Sequence, residues 1–122
     1  MGRLFEDADG FDEDSCLSMY DNSYEFYKLV LNTFLDDARR ALEGMKETYA
    51  AGDIENYRIL VHGLKGAGGS AGAKNLVDLA TRSNALIKEG DWNTASTLHE
   101  PLVTELERII SLIPDRIASH VE

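Results

Sequence analysis

The chain is poor in cysteine and proline, with Cys16 the single thiol and Pro101 and Pro114 the two prolines. One cysteine excludes an internal disulfide and fits a reducing compartment, so the expected location is cytoplasmic. Cys16 has no base or cation near it in sequence and reads as a small core residue. Basic residues are scarce as well: 12 Lys and Arg against 22 Asp and Glu leave a net charge of −10. That balance argues against a nucleic-acid partner, because a phosphate backbone needs a basic patch. No apolar run approaches the length of a membrane span and no signal-peptide pattern is present, so no membrane contact is expected. β-Branched runs of period two are missing, which leaves little room for strands.

Metal and nucleotide chemistry also lack their patterns. His62, His99 and His120 form no i,i+4 pair, and no Glu-x-x-His repeat occurs. The acidic cluster of Glu6, Asp7, Asp9, Asp12, Glu13 and Asp14 has neither the ligand spacing nor the terminal glutamate of a calcium loop. The run Gly66-Ala67-Gly68-Gly69-Ser70-Ala71 satisfies a loose dinucleotide fingerprint, but that motif needs a parallel sheet around it. A phosphate loop would end in Gly-Lys-Ser or Gly-Lys-Thr, which is absent. No cofactor and no metal is therefore expected, and His99 and His120 read as solvent-facing.

What the chain does contain is helical periodicity. At 122 residues it is one domain with room for a single core. Tyr27, Val30, Leu31, Phe34, Ala38, Ala41, Leu42, Met45 and Tyr49 form one stripe from about Ser23 to Ala50. Further stripes run through Leu76, Leu79, Ala80, Leu86 and Ile87, and through Leu98, Leu102, Leu106, Ile109, Ile110 and Ile113. Gly52-Asp53 and Gly90-Asp91 each set a helix-ending glycine beside a helix-capping aspartate, and Gly72 ends a third helix in the same way. A short helix from about Asp12 to Met19 precedes these. Short connections between long amphipathic helices make antiparallel neighbours. The predicted fold is all-α: an antiparallel up-down four-helix bundle over residues 10–122 with a short extra N-terminal helix, after a flexible acidic segment at 1–9. Trp92 should anchor the start of the last helix, Pro101 should kink or offset it, and Pro114 should end it or start a short terminal turn. A monomer is the expected state, since one bundle can bury all the apolar residues.

The segment from Val61 to Ala73 stands out from this regular pattern. It places Gly63, Gly66, Gly68 and Gly69 inside a helix, each disfavoured by about 1 kcal/mol relative to alanine. On a wheel of about 100° per residue, Tyr57, Leu60, Val61, Leu64, Ala67, Gly68 and Ala71 cluster on one side. His62 faces the opposite side, together with Arg58, Ile59, Lys65, Gly66 and Gly69. An exposed imidazole next to cations and a bare surface suits a negatively charged group that a partner must reach. Reflection about the two flanking turns sets Ala41 and Ser83 level with His62, which makes Arg39 or Arg40 and Arg82 candidates to rim it. The bland alternative is a helical adaptor that binds protein partners without chemistry, but it leaves His62, Lys65 and Gly66 together unexplained.

His62-Gly63-Leu64-Lys65-Gly66, followed by Gly72-Ala73, resembles the signature of histidine-containing phosphotransfer domains, the HPt modules of two-component phosphorelays. Gly10-Phe11-Asp12, Tyr24 to Phe34, Gly52-Asp53 and Gly90-Asp91-Trp92 extend the likeness over roughly residues 10 to 112. Ala67 and Ala71 depart from it, where many members carry a serine and a larger aliphatic residue; both lie on the buried side. The resemblance implies a phosphocarrier without autokinase activity. It implies that His62 accepts a phosphoryl group from a receiver-domain aspartate, that Lys65 supports its charge, and that Gly66 is the bare surface on which the receiver docks. Gly69 joins that surface on the wheel. The partners implied are response-regulator receiver domains and a hybrid histidine kinase, and a receiver would bring its own metal ion and acidic pocket.

Overall fold

The structure, a computed structural model, describes residues 2–120; Met1, Val121 and Glu122, which belong to the two predicted segments, lie outside the described residues. Among the described residues six α-helices follow a short 3-10 turn at Asp7–Asp9: α1 (Glu13–Met19), α2 (Tyr24–Ala51), α3 (Ile54–Ala71), α4 (Lys74–Lys88), α5 (Trp92–Ser96) and α6 (His99–Ser119). Four of them start where the sequence supplies a cap. The side chains of Asp12, Ser23, Asp53 and Asp91 accept from the backbone N–H of Ser15, Phe26, Asn56 and Thr94, satisfying donors that a helix start leaves orphaned. α2 and α3 end on Gly52 and Gly72 in the left-handed conformation. At Gly72 the requirement is double, because φ is +78° and an added Cβ would lie 2.7 Å from Cys16 Sγ.

The bundle closes as a ring: α2 packs on α3 and α6, and α4 packs on α3 and α6, with α5 against α4 and α1 against α2. Its centre holds Tyr27, Leu31 and Met45 of α2, Tyr57, Val61 and Leu64 of α3, Leu76 and Ala80 of α4, and Leu102, Leu106, Ile109 and Ile113 of α6. Each large apolar side chain removed from water in this way stabilises the fold by about 1.5–3 kcal/mol. Cys16 is buried with them, as its sequence context predicts. The predicted all-α bundle with its short N-terminal helix is the fold observed.

Three details differ from the sequence expectation. Trp92 opens the short α5, and the helix is interrupted between Ser96 and His99, upstream of Pro101. Pro101 then falls in the first turn of α6, where no intrahelical hydrogen bond is lost. Pro114 does not end α6, which runs through it to Ser119. An interior proline costs about 3 kcal/mol, but Pro114 is exposed while Ile113 and Ile117 pack on either side of it. Arg116 adds ion pairs to Asp9 and Glu6 just beyond.

The third detail is the acidic lead, expected to be flexible over 1–9. In the structure Leu4 and Phe5 are buried and Phe5 stacks on Phe11 with ring centroids 4.1 Å apart. The anchor is Glu13, whose side chain is 0 % exposed and accepts the N–H of Leu4 (3.0 Å), the N–H of Phe5 (2.8 Å) and the Tyr24 hydroxyl. Asp9 is buried too and lies against Arg116, with its carbonyl accepting from Arg108 at 2.7 Å. These charges are partnered rather than solvated, which is the condition for burying them.

Candidate functional site

The rotation of α3 is set by its apolar residues. Tyr57, Val61, Leu64, Gly68 and Ala71 are buried at alternating spacings of four and three, which is one face of a helix. His62 follows a fully buried valine and is exposed; Gly63, Gly66 and Gly69 are exposed with it, and Lys65 is half-buried. The structure thus brings His62, Lys65, Gly66 and Gly69 to one face.

The glycines divide into two kinds. A Cβ added at Gly63, Gly66 or Gly69 would meet nothing within 4 Å, so the fold itself does not need glycine there. At Gly68 an added Cβ would lie 3.0 Å from Val77 Cγ2, so that glycine lets α3 and α4 approach closely. The helical wheel sets Gly68 on the apolar side, apart from Gly66 and Gly69, but does not reveal its close contact with Val77. Three helix-weakening residues on the exposed face of one helix leave its backbone uncovered beside His62.

The cations divide as well. Arg58 donates to Glu55 at 3.0 Å on its own helix, an ordinary surface pair. Arg39, Arg40 and Arg82, the predicted rim, are paired with Asp36, Asp37 and Asp78 respectively. Arg40 and Asp37 line a groove between α2 and α3 whose other walls are Ala41, Ile59, Leu60, Gly63, Leu64 and Ala67. Ile59 is 53 % exposed at its edge and gives the face next to His62 an apolar element. Neither His62 nor Lys65 has a hydrogen-bond or ion-pair partner among the described residues. The imidazole is therefore open to attack an incoming group, and the ammonium has no carboxylate competing for it. Among the described residues no group of three or more His, Cys, Asp and Glu is placed to hold a metal ion.

The other two histidines are not solvent-facing. His120 lies against Tyr24, its Nε2 2.9 Å from the Gly2 carbonyl. His99 is 5 % exposed, stacked on Tyr49 with ring centroids 3.7 Å apart, and its Nδ1 is 2.9 Å from the Tyr57 hydroxyl. Burial pushes the Tyr57 hydroxyl pKa up, so the hydroxyl keeps its proton, and it shares a hydrogen bond with His99 Nδ1 whose direction follows the imidazole tautomer. No local pattern marks His99 as buried, because its cover comes from α2 and α3. Burial also holds the His99 imidazole below its usual pKa of 6.5, opposed by Glu100 and reinforced by Lys46. The unfolded chain then binds the proton more readily than the folded one. The stabilisation from neutral His99 is fully present above the unfolded value and is lost as pH falls towards the folded one. In denaturant titrations at several pH values, wild type should lose stability below about pH 6.5 faster than His99→Gln. Equal pH slopes would show that His99 does not titrate with folding.

With this geometry in hand, comparison with known proteins adds three findings. A family model described as "Hpt domain" matches residues 29–112. The fold resembles the crystal structure of histidine-containing phosphotransfer protein B (HptB) from Pseudomonas aeruginosa PAO1, with a TM-score of 0.76 and 22 % identity over 91 % of this chain and 97 % of that one. No curated protein matches the sequence.

Proposed function

We propose that in this chain, which belongs to the Hpt domain family and is a phosphorelay intermediate and phosphocarrier, His62 is the residue that carries the phosphoryl group. The observation that supports this is the pairing of an exposed, unpartnered imidazole with an unpaired lysine one turn along and three glycines on the same open face. His99 offers no such access, being stacked on Tyr49.

The proposed step is an in-line displacement. A ring-nitrogen lone pair of His62 attacks the phosphorus of a receiver aspartyl phosphate. The N–P bond forms, the P–O bond to the carboxyl group breaks with its electron pair, and the aspartate leaves as a carboxylate. The other ring nitrogen keeps its proton, and the reverse sequence delivers the group to a second receiver. Lys65 balances the charge of the phosphoryl oxygens, and the receiver contributes its own metal ion and acidic pocket. Positioning and charge supply most of the acceleration in such transfers, so the carrier needs little more than a nucleophile, a cation and a flat place to dock. Response-regulator receivers and a hybrid histidine kinase are the partners this reading requires, with Gly66 and Gly69 as the docking surface and the cytoplasm as the setting. Among the described residues no helix is long and apolar enough to cross a membrane.

The glycines give a test in which two measured quantities move in opposite directions. Gly66→Ala and Gly69→Ala meet open space and a helical backbone, so each should raise the unfolding free energy by about 0.5–1 kcal/mol. The same substitutions place atoms on the docking surface and should slow transfer from a charged receiver, Gly66→Leu more than Gly66→Ala. Denaturant unfolding and single-turnover transfer measure the two. Stabilised variants that transfer at the wild-type rate would remove Gly66 and Gly69 from the interface.

A further inference from the structure

The C-terminal end of α3 is fastened by groups that the transfer chemistry does not use. A helix leaves its last carbonyls without intrahelical partners, and here each finds one. The Ser70 carbonyl accepts the Tyr20 hydroxyl at 2.7 Å, with Cys16 Sγ at 3.7 Å. The Ala71 carbonyl accepts the Tyr27 hydroxyl at 2.7 Å, and the Gly72 carbonyl accepts the Asp12 N–H at 2.8 Å. Tyr20 directly follows α1 and Tyr27 lies in the first turns of α2, so the fastening comes from outside the helix.

The fastened stretch is also the poorest helix former in the chain, with glycine at 63, 66, 68 and 69. Left alone, such an end frays, and fraying would displace the surface around Gly66 and Gly69 while His62, nearer the middle of α3, stayed in place. Ser70 adds only a local bond, its hydroxyl to the Gly66 carbonyl at 3.3 Å.

We propose that Tyr20 and Tyr27 are positioning residues for phosphotransfer: by pegging the Ser70 and Ala71 carbonyls to the α1–α2 corner, they keep the glycine-rich docking surface helical. This rests on the reading that a receiver docks over Gly66 and Gly69. The consequence is kinetic. A receiver binds only the helical form, so its apparent affinity scales with the fraction of molecules in which that form is intact.

Tyr20→Phe is the informative variant, because Tyr20 is half-buried and its ring contacts with Phe26 and Tyr27 survive loss of the hydroxyl. Amide exchange over residues 66–73 should accelerate about fivefold. With a receiver domain charged by acetyl phosphate as donor, KM should rise by up to about twofold with kcat unchanged, the size set by how far the wild-type end already frays. Unchanged exchange over 66–73, or faster exchange with unchanged KM, would overturn the proposal. Leu102→Val, in the core one turn from His99 at the opposite end of the bundle, is the control: if it raises KM as much as Tyr20→Phe, the effect is global and positioning is refuted. Phosphoryl uptake surviving in His62→Gln would instead refute the site reading, and the exchange data would still decide whether the pegs hold the helix.

Discussion

Replacing His62 with glutamine should abolish phosphoryl uptake from a charged receiver while leaving the protein folded. Glutamine keeps a polar side chain of similar reach but offers no nitrogen lone pair able to attack phosphorus, so the loss should be complete rather than graded. The fold should not notice. His62 is exposed and has no partner among the described residues, and surface substitutions away from special features stay within about 0.5 kcal/mol. Receiver binding should survive, because the glycine surface, the α2–α3 groove and Lys65 are untouched. Retained binding with lost transfer separates a carrier from an adaptor, which would bind in both forms and take up no phosphoryl group in either. Intact-mass measurement, thermal unfolding and receiver titration on the same preparation read all three quantities.

The second large effect lies far from the site and concerns stability. Glu13→Ala should lower the unfolding free energy by about 3–5 kcal/mol, since it orphans three donors and each buried unsatisfied group costs about 1–3 kcal/mol. The carboxylate is fully buried and receives Leu4 N–H, Phe5 N–H and the Tyr24 hydroxyl. Without it these donors are orphaned, or the 2–9 segment detaches to find water and uncovers Leu4, Phe5 and Phe11. Either route is costly, and the melting temperature should fall by about 10–20 °C. Glu13→Gln should fall between, since its amide oxygen can accept one N–H while its NH₂ opposes the other. A melting temperature within a few degrees of wild type in Glu13→Ala would mean that the segment contributes little to the fold.

How much of this was legible in the sequence follows from the range of the interactions. The caps and stops were legible because they are local: Asp53 acts on Asn56, and Gly52 and Gly72 act on their own φ. His62 was legible for the same reason, since the 3.6-residue period of its own helix fixes which way it faces. Residues 2–9 were not legible. Leu4 and Phe5 carry no period inside an acidic run, and their anchor Glu13 looks like one more surface acid until the Tyr24 hydroxyl and two backbone N–H groups surround it. His99 was misread because Tyr49 and Tyr57, which cover it, lie 50 and 42 residues away. Pro114 was misread because local propensity ended the helix, whereas Ile117 packing and the Arg116 ion pairs to the N-terminal segment carry it on. Gly68 shows the same limit: its contact is Val77 on the next helix, which no wheel of α3 displays.

The most direct measurement maps the phosphoryl group itself. The wild-type chain, incubated with a receiver domain charged by acetyl phosphate, is fragmented under neutral conditions and read by tandem mass spectrometry. The structure predicts one acid-labile phosphoryl group, on residue 62. A group found on His99 or His120, or on none of the three histidines, would contradict it.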